Sequence, residues 1–245
     1  MINTSTLIEF LLDCYTSVNV IITKKRMKNI RLIITKTGEV KLNIPSRISY
    51  NYAYQFLERK RDWISNQLIK IKSNIAKNCC NFTDGGNIFL MGYNYPLKVE
   101  ISTKNKVFFN PNTSETNCGF IIYIKDSKVD IKNIFIKWCK KYFLDFFSNR
   151  LNYLYSQMFK NTTPPIVKIK TMKSMWGNCN FVKNIITLNL YLAKANIECI
   201  DYVIIHELAH LVHHNHGNEF HNLMTKLLPD WKSRKKLLNT YSLGF

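Results

Sequence analysis

The feature that most constrains this 245-residue chain is His206-Glu207-Leu208-Ala209-His210, an H-E-x-x-H set in an apolar run with Val203, Ile204, Ile205 and Leu211. That run predicts a buried helix from residue 202 to about 213. Positions four apart lie one above the other on a helix face, so two imidazoles there can both reach one zinc ion at about 2.1 Å. Glu207 points beside such a metal, where a carboxylate can take a proton from metal-bound water. All six histidines fall between residues 206 and 221, so metal-ligand chemistry based on histidine is confined to one place. Six His and eight Glu in this length give on the order of 0.005 such motifs by chance, so the pattern is specific. Without a metal, a buried Glu between buried histidines would be costly.

A catalytic zinc takes three protein ligands and keeps one open position. The candidates for the third are His213, His214, His216 and His221. Eight helical residues, about 12 Å of rise, separate His214 from His206, too far for one ion. His216 stands between Asn215 and Gly217, in a helix-ending turn that can bring it back over the metal; it is the favoured ligand. His221, on the following helix, is the alternative. His213 and His214 read as exposed histidines at a helix C-terminus.

The remaining sequence bounds the setting. The length suits one large domain or two small, closely joined ones. The 46% hydrophobic content supports a core. No 18-residue apolar stretch occurs, so no membrane partner is expected, and the N-terminus lacks the pattern of a secretory signal. Seven cysteines with no C-x-x-C argue against a disulfide framework or zinc ribbon and fit the cytoplasm. The net charge of +19, from 35 Lys+Arg and 16 Asp+Glu, accompanies 28 asparagines and abundant isoleucine. It reads mainly as solvated basic faces, which predict only weak, non-specific nucleic-acid or nucleotide binding.

Periodicity predicts a hairpin over residues 30–45 around Thr37-Gly38. A helix capped by Ser49 is predicted to run to about residue 72, with Ala53, Phe56, Leu57, Trp63, Ile64, Leu68 and Ile71 inward. Strands are expected at 88–90, 97–101, 107–109 and 120–124, with a loop over 110–118. A long aromatic helix should span 128–159, ended by Pro164-Pro165. Strands at 166–171 and 185–190 flank a turn-rich segment at 174–178. Helices at 218–228 and 231–238 close the chain. This gives an α+β fold, with a β-rich region over 1–125 containing one helix and a helical metal-site core over 126–245, read as one integrated unit.

The motifs resemble a known family. His206-Glu207-Leu208-Ala209-His210-Leu211, Asn215-His216, Glu219-Phe220 and Pro229-Asp230-Trp231-Lys232 are similar to the YgjP-like/WLM metallopeptidases, relatives of SprT-like proteases. Residues 170–180 (KTMKSMWGNCN) resemble the family's S-x-W-G-x-C segment. Ile186-Thr187-Leu188-Asn189 resembles its I-x-L-N strand, and Cys199-Ile200-Asp201-Tyr202-Val203 its run into the active helix. The residue 30–45 hairpin, Asp62-Trp63-Ile64, Gly92-Tyr93 and Tyr95-Pro96-Leu97 also fit, so the resemblance covers about residues 20–240. It implies a zincin-like fold, a zinc site and a third ligand at His216. Met175 stands where Arg is usual, and His221 where Trp is usual.

Together these features predict a zinc metallopeptidase in which His206, His210 and His216 hold Zn²⁺ and Glu207 is the general base. The expected substrate is a peptide or protein, with an extended segment pairing near strand 185–189. Tyr202 and Trp176 are candidate oxyanion donors. Two rivals remain: a metal-dependent nucleotide phosphoanhydride hydrolase, and a basic nucleic-acid-binding module with structural zinc. Convergence of lysines and arginines on the metal would favour the first. A closed four-ligand site would favour the second.

Overall fold

A computed structural model describes residues 5–12, 17–35, 38–77, 79–112, 118–159 and 162–245, with side chains at 72–77 left aside. The chain forms two compact units, Met1–Lys77 and Asn78–Phe245. Among the described residues, no helix is long and apolar enough to cross a membrane.

The first unit contains β1 (Ser5–Leu11), β2 (Ser17–Lys25), β3 (Arg31–Ile34), β4 (Val40–Pro45), α1 (Tyr50–Arg59) and α2 (Arg61–Lys77). The sheet order is β1-β2-β4-β3. The expected hairpin is β3–β4, in register Ile34↔Val40 and Leu32↔Leu42. Gly38 in its turn has φ +88°, a conformation only glycine adopts freely; Thr37 lies outside the described residues. Strands β1 and β2 were not anticipated, because Ile21 between Val20 and Ile22 blurs the period-two alternation. In the fold, Phe10, Val20, Ile22, Val40, Leu42 and Ile44 line one face and pack with Ala53, Leu57, Ile64 and Leu68 of the helices.

Ser49 caps α1 by accepting from the Tyr52 N–H at 3.2 Å. The predicted single helix is two. At Lys60 the backbone leaves helical geometry (φ −109°, ψ 6°) and its N–H bonds back to Leu57 and Glu58. The buried Ala53, Leu57, Ile64 and Leu68 stay on one stripe across the break, and Trp63, predicted as core, lies about 110° off that stripe at 100° per residue and is 46% exposed.

The second unit contains β5 (Asn87–Leu90), β6 (Tyr93–Ile101), β7 (Lys106–Asn110), β8 (Gly119–Ile124) and α3 (Ile131–Met158). It continues with β9 (Ile166–Lys170), β10 (Gly177–Asn180) and β11 (Ile185–Asn189), then a 3₁₀ turn over Leu190–Lys194. Helices α4 (Ile197–Ala209), α5 (Asn218–Leu227) and α6 (Trp231–Leu238) complete it. One sheet has order β5-β6-β8-β7, the other β10-β11-β9. Of the expected 110–118 loop, residues 113–117 lie outside the described residues.

Both sheets and all four helices share one hydrophobic core. The sequence grouped strands 87–124 with the N-terminal region. They instead pack with the helices, as Phe120 does on Phe135 and Trp138 of α3 at 5.6 and 5.5 Å. The division therefore falls at residue 77 and not near 125.

On α3 the buried side chains are Phe135, Cys139, Phe143, Phe147, Leu151 and Tyr155, a strict four-residue repeat. Each four-residue step advances about 40° around a helix of 3.6 residues per turn. The stripe therefore winds about 200° and meets successive partners along the helix. Tyr142 and Tyr153, off this stripe, are 39% and 56% exposed. Helix α4 begins earlier than predicted, because the Asn196 side chain caps it by accepting from the Cys199 N–H. From Cys199 to Ala209 every residue except His206 is buried. Asp201 on this helix takes a two-pronged ion pair from Arg150 of α3, at 2.6 and 2.7 Å.

Candidate metal centre

Helix α4 positions His206, and its C-cap is His210, where the chain turns away. The turn carries His216 back, so that its Nε2 lies 3.1 Å from His206 Nε2. One ligand atom from each of His206, His210 and His216 lies within 4.8 Å of the others. Phe220 of α5 packs its ring against all three imidazoles, at 5.0, 4.6 and 4.8 Å between centroids, and holds them together. The His210 Nδ1–H donates to the His213 carbonyl at 3.0 Å, fixing the tautomer that frees Nε2.

These residues fit a divalent metal. Nitrogens around a tetrahedral zinc with 2.1 Å bonds stand about 3.4 Å apart, near the observed spacing. The ligands must also be neutral. Burial, followed by repulsion from His210, His216, Lys235 and His221, pushes His206 down to about 3. His216 is lowered for similar reasons. Three imidazoles and no cysteine in this group leave room for a further ligand.

Glu207 is 5% exposed, and burial pushes its carboxyl up to about 8. The backbone of β10 lies directly against it: a Cβ on Gly177 would sit 2.6 Å from Glu207 Oε1 and 2.7 Å from its Cγ. Cys179 and Tyr202 are pushed up to about 11 and 12, by burial first and then by Glu207.

The cleft above these groups has a volume of about 450 Å³. Trp176, Gly177 and Phe181 line it from one side, Tyr202 and Glu207 from α4, and Lys235 from α6. Its wall is pinned by Asn189, fully buried, whose Nδ2 donates to the Met172 and Met175 carbonyls at 2.8 and 2.7 Å.

The structure separates the remaining candidates. His213 faces Glu219 at 3.5 Å, and His214 stacks on Phe181 at 3.7 Å; neither joins the three-histidine group. Both lie beyond α4, not on its last turn as predicted. His221 stacks on Trp231 at 5.5 Å and stays outside the group. Tyr202 and Trp176 both line the cleft.

Peptide pairing at 185–189 is corrected: β11 has β10 on one side and β9 on the other, so its hydrogen-bonding edges are used. The sheet's edges are β9 and β10, and the one that lines the cleft is β10, read in part from sequence as a turn because GNCN has no β-branched residue. Gly177 and Lys235 were missed as site residues. The W-G-x-C segment was the available signal for the first; the second depends on how α6 packs.

A metal-competent histidine cluster beside a buried carboxyl is the kind of site metallopeptidases carry, and the chain is of that class. Over residues 28–241 it matches the YgjP-like, metallopeptidase domain family, and it belongs to that family. Two crystal structures are similar over part of the chain. One is the metallopeptidase zymogen jannalysin of Methanocaldococcus jannaschii (23% identity, TM-score 0.34, covering 38% of this chain and 92% of that one). The other is the metallopeptidase zymogen abylysin of Pyrococcus abyssi (24% identity, TM-score 0.36, again 38% and 92%). No curated protein matches the chain.

Proposed function

We propose that this metallopeptidase is a single-zinc, zincin-type peptidase in which His206, His210 and His216 hold the ion and Glu207 is the general base. The observation that carries this reading is the convergence of three ring nitrogens within 4.8 Å in a cleft that Glu207 also lines. A zinc ion held there supplies Lewis acidity, polarising a peptide carbonyl and acidifying water. Burial alone favours the protonated form of Glu207, and a neighbouring dication opposes that and favours the carboxylate. Glu207 then accepts the proton of the attacking water and delivers it to the leaving amine. The free edge of β10 offers its backbone to an extended peptide beside Glu207.

The lining of the cleft supports a peptide over a nucleotide. Among the described residues, one lysine and no arginine line it, too little positive charge for a triphosphate. The test is Glu207→Gln, which keeps size and shape but cannot take up the proton. Metal content by elemental analysis should be unchanged, while peptide hydrolysis falls ~10²–10⁴-fold. Unchanged hydrolysis sinks the role given to Glu207; lost metal makes it a ligand or a ligand support.

A further inference from the structure

Besides the histidines and Glu207, one charged side chain lines the cleft: Lys235. Trp231, Lys235 and Leu238 lie at i, i+4 and i+7, on one helix face, and Trp231 and Leu238 are 8% and 3% exposed. Lys235 is itself exposed, on the side of α6 that borders the cleft, whereas Lys232 and Lys236 on the same helix do not line it.

No carboxylate answers that charge. Arg234, its neighbour, pairs with Asp230 at 2.9 Å. Among the described residues Lys235 makes no ion pair, and its ammonium lies only over the Trp231 ring, at 5.8 Å. The facing wall contributes Met175, Trp176, Asn178 and Phe181, all uncharged. Glu207 is the sole acid in the cleft, and it is committed beneath Gly177. The cleft thus holds, among the described residues, one lysine with no carboxylate partner, and an otherwise uncharged facing wall.

We infer that Lys235 is a specificity residue that pairs with a carboxylate of the peptide substrate, either an acidic side chain near the scissile bond or a free C-terminus. This rests on the peptidase reading of the same cleft. One lysine suits one carboxylate, and a charge-assisted hydrogen bond between them is stronger than one between neutral groups.

The experiment uses zinc-loaded full-length protein and matched fluorogenic peptides with Glu, Gln or Lys at each position around the cleaved bond, all with amidated ends. A neutral series compares free with amidated C-termini. Wild type should favour the carboxylate over its amide about three- to tenfold in kcat/KM. Lys235→Gln should bring the ratio close to one, Lys235→Glu should favour the Lys peptide, and Lys235→Arg should keep the original preference. Lys232→Gln is the surface control and should change nothing. A preference confined to the Glu series assigns the side-chain carboxylate; one confined to the free-end series assigns the C-terminus. Wild-type indifference to charge, or a preference that survives Lys235→Gln, overturns the inference.

Anisotropy of labelled Glu and Gln peptides on Glu207→Gln protein, with and without Lys235→Gln, separates the two ideas. Charge-dependent binding without wild-type cleavage keeps Lys235 and sinks the peptidase chemistry. Cleavage without charge preference does the reverse. Neither binding nor cleavage counts against both.

Discussion

Gly177→Ala adds a single methyl at the closest backbone approach to Glu207. The new Cβ would stand 2.6 Å from Oε1, 2.7 Å from Cγ and 2.8 Å from Cδ of that side chain. Ordinary carbon contacts are about 3.5–4.0 Å, so one partner must move by about 1 Å. Gly177 is held in register opposite Leu188 by β11, so the glutamate carboxyl yields first. A displacement of that size at a reacting group costs on the order of 10²-fold in rate, or about 2.7 kcal/mol at 1.36 kcal/mol per tenfold. Overpacking also lowers stability by about 1–3 kcal/mol, which urea unfolding measures separately. The assay is kcat/KM on one peptide for Gly177→Ala, Glu207→Gln and the double variant, with metal content determined for each. If the methyl acts through Glu207, the double variant is no slower than Glu207→Gln alone. Full activity in Gly177→Ala, or fully additive losses in the double, refutes the argument that β10 positions this carboxyl.

Other expectations follow from the same geometry. His216→Ala should weaken zinc binding at least tenfold by competition with a chelator, while His213→Ala and His214→Ala stay within about twofold, since neither ring joins the cluster. In metal-free protein, His206 is lowered to about 3 and Glu207 raised to about 8. The His206 contribution is present above about 6.5 and lost as pH falls toward 3. The Glu207 contribution is present below about 4.5 and lost as pH rises toward 8. From these two groups stability is therefore highest between about pH 4.5 and 6.5, falling on either side by at most about 1.4 kcal/mol per pH unit per group. Urea titrations in chelator should show the alkaline decline shrink in Glu207→Gln, and an unchanged decline contradicts the assignment. Arg150→Met strands Asp201, which is 9% exposed. The loss should be about 2 kcal/mol, less than for a fully buried pair because the Arg150 side chain is 31% exposed. That is a fall of about 4–8 °C in Tm for a unit of this size.

What was legible in the sequence was what is local. H-E-x-x-H places two histidines on one turn of α4 whatever surrounds the helix. Asn215 and Gly217 announced the reversal that returns His216 to them. Ser49, and the alternation in β3 and β4, are similarly short-range signals. What was hidden depends on partners distant in sequence. Strand β10 exists because β11 pairs with it, not because GNCN favours extension. The claim that 185–189 receives a peptide failed because β9, nearly twenty residues upstream, fills its other edge. Trp63 was read as core for being apolar, although it lies off the stripe that Ala53, Leu57, Ile64 and Leu68 form. Lys235 reads as one of four basic residues in a run of five, and only the way α6 packs beside the cleft separates it from the others.

Helix α4 is enclosed on nearly every side, whereas His216 stands on an exposed turn. Two of the proposed ligands are thus carried by a buried helix and its cap and persist without the ion, while the third rides on the exposed turn and gives up its contact with Phe220 when it swings away. Loading and loss of the metal would then be events chiefly of the 211–217 segment. Exchange would run at the pace of a surface loop opening, far faster than global unfolding, and a chelator would strip the ion while leaving a folded, reloadable protein.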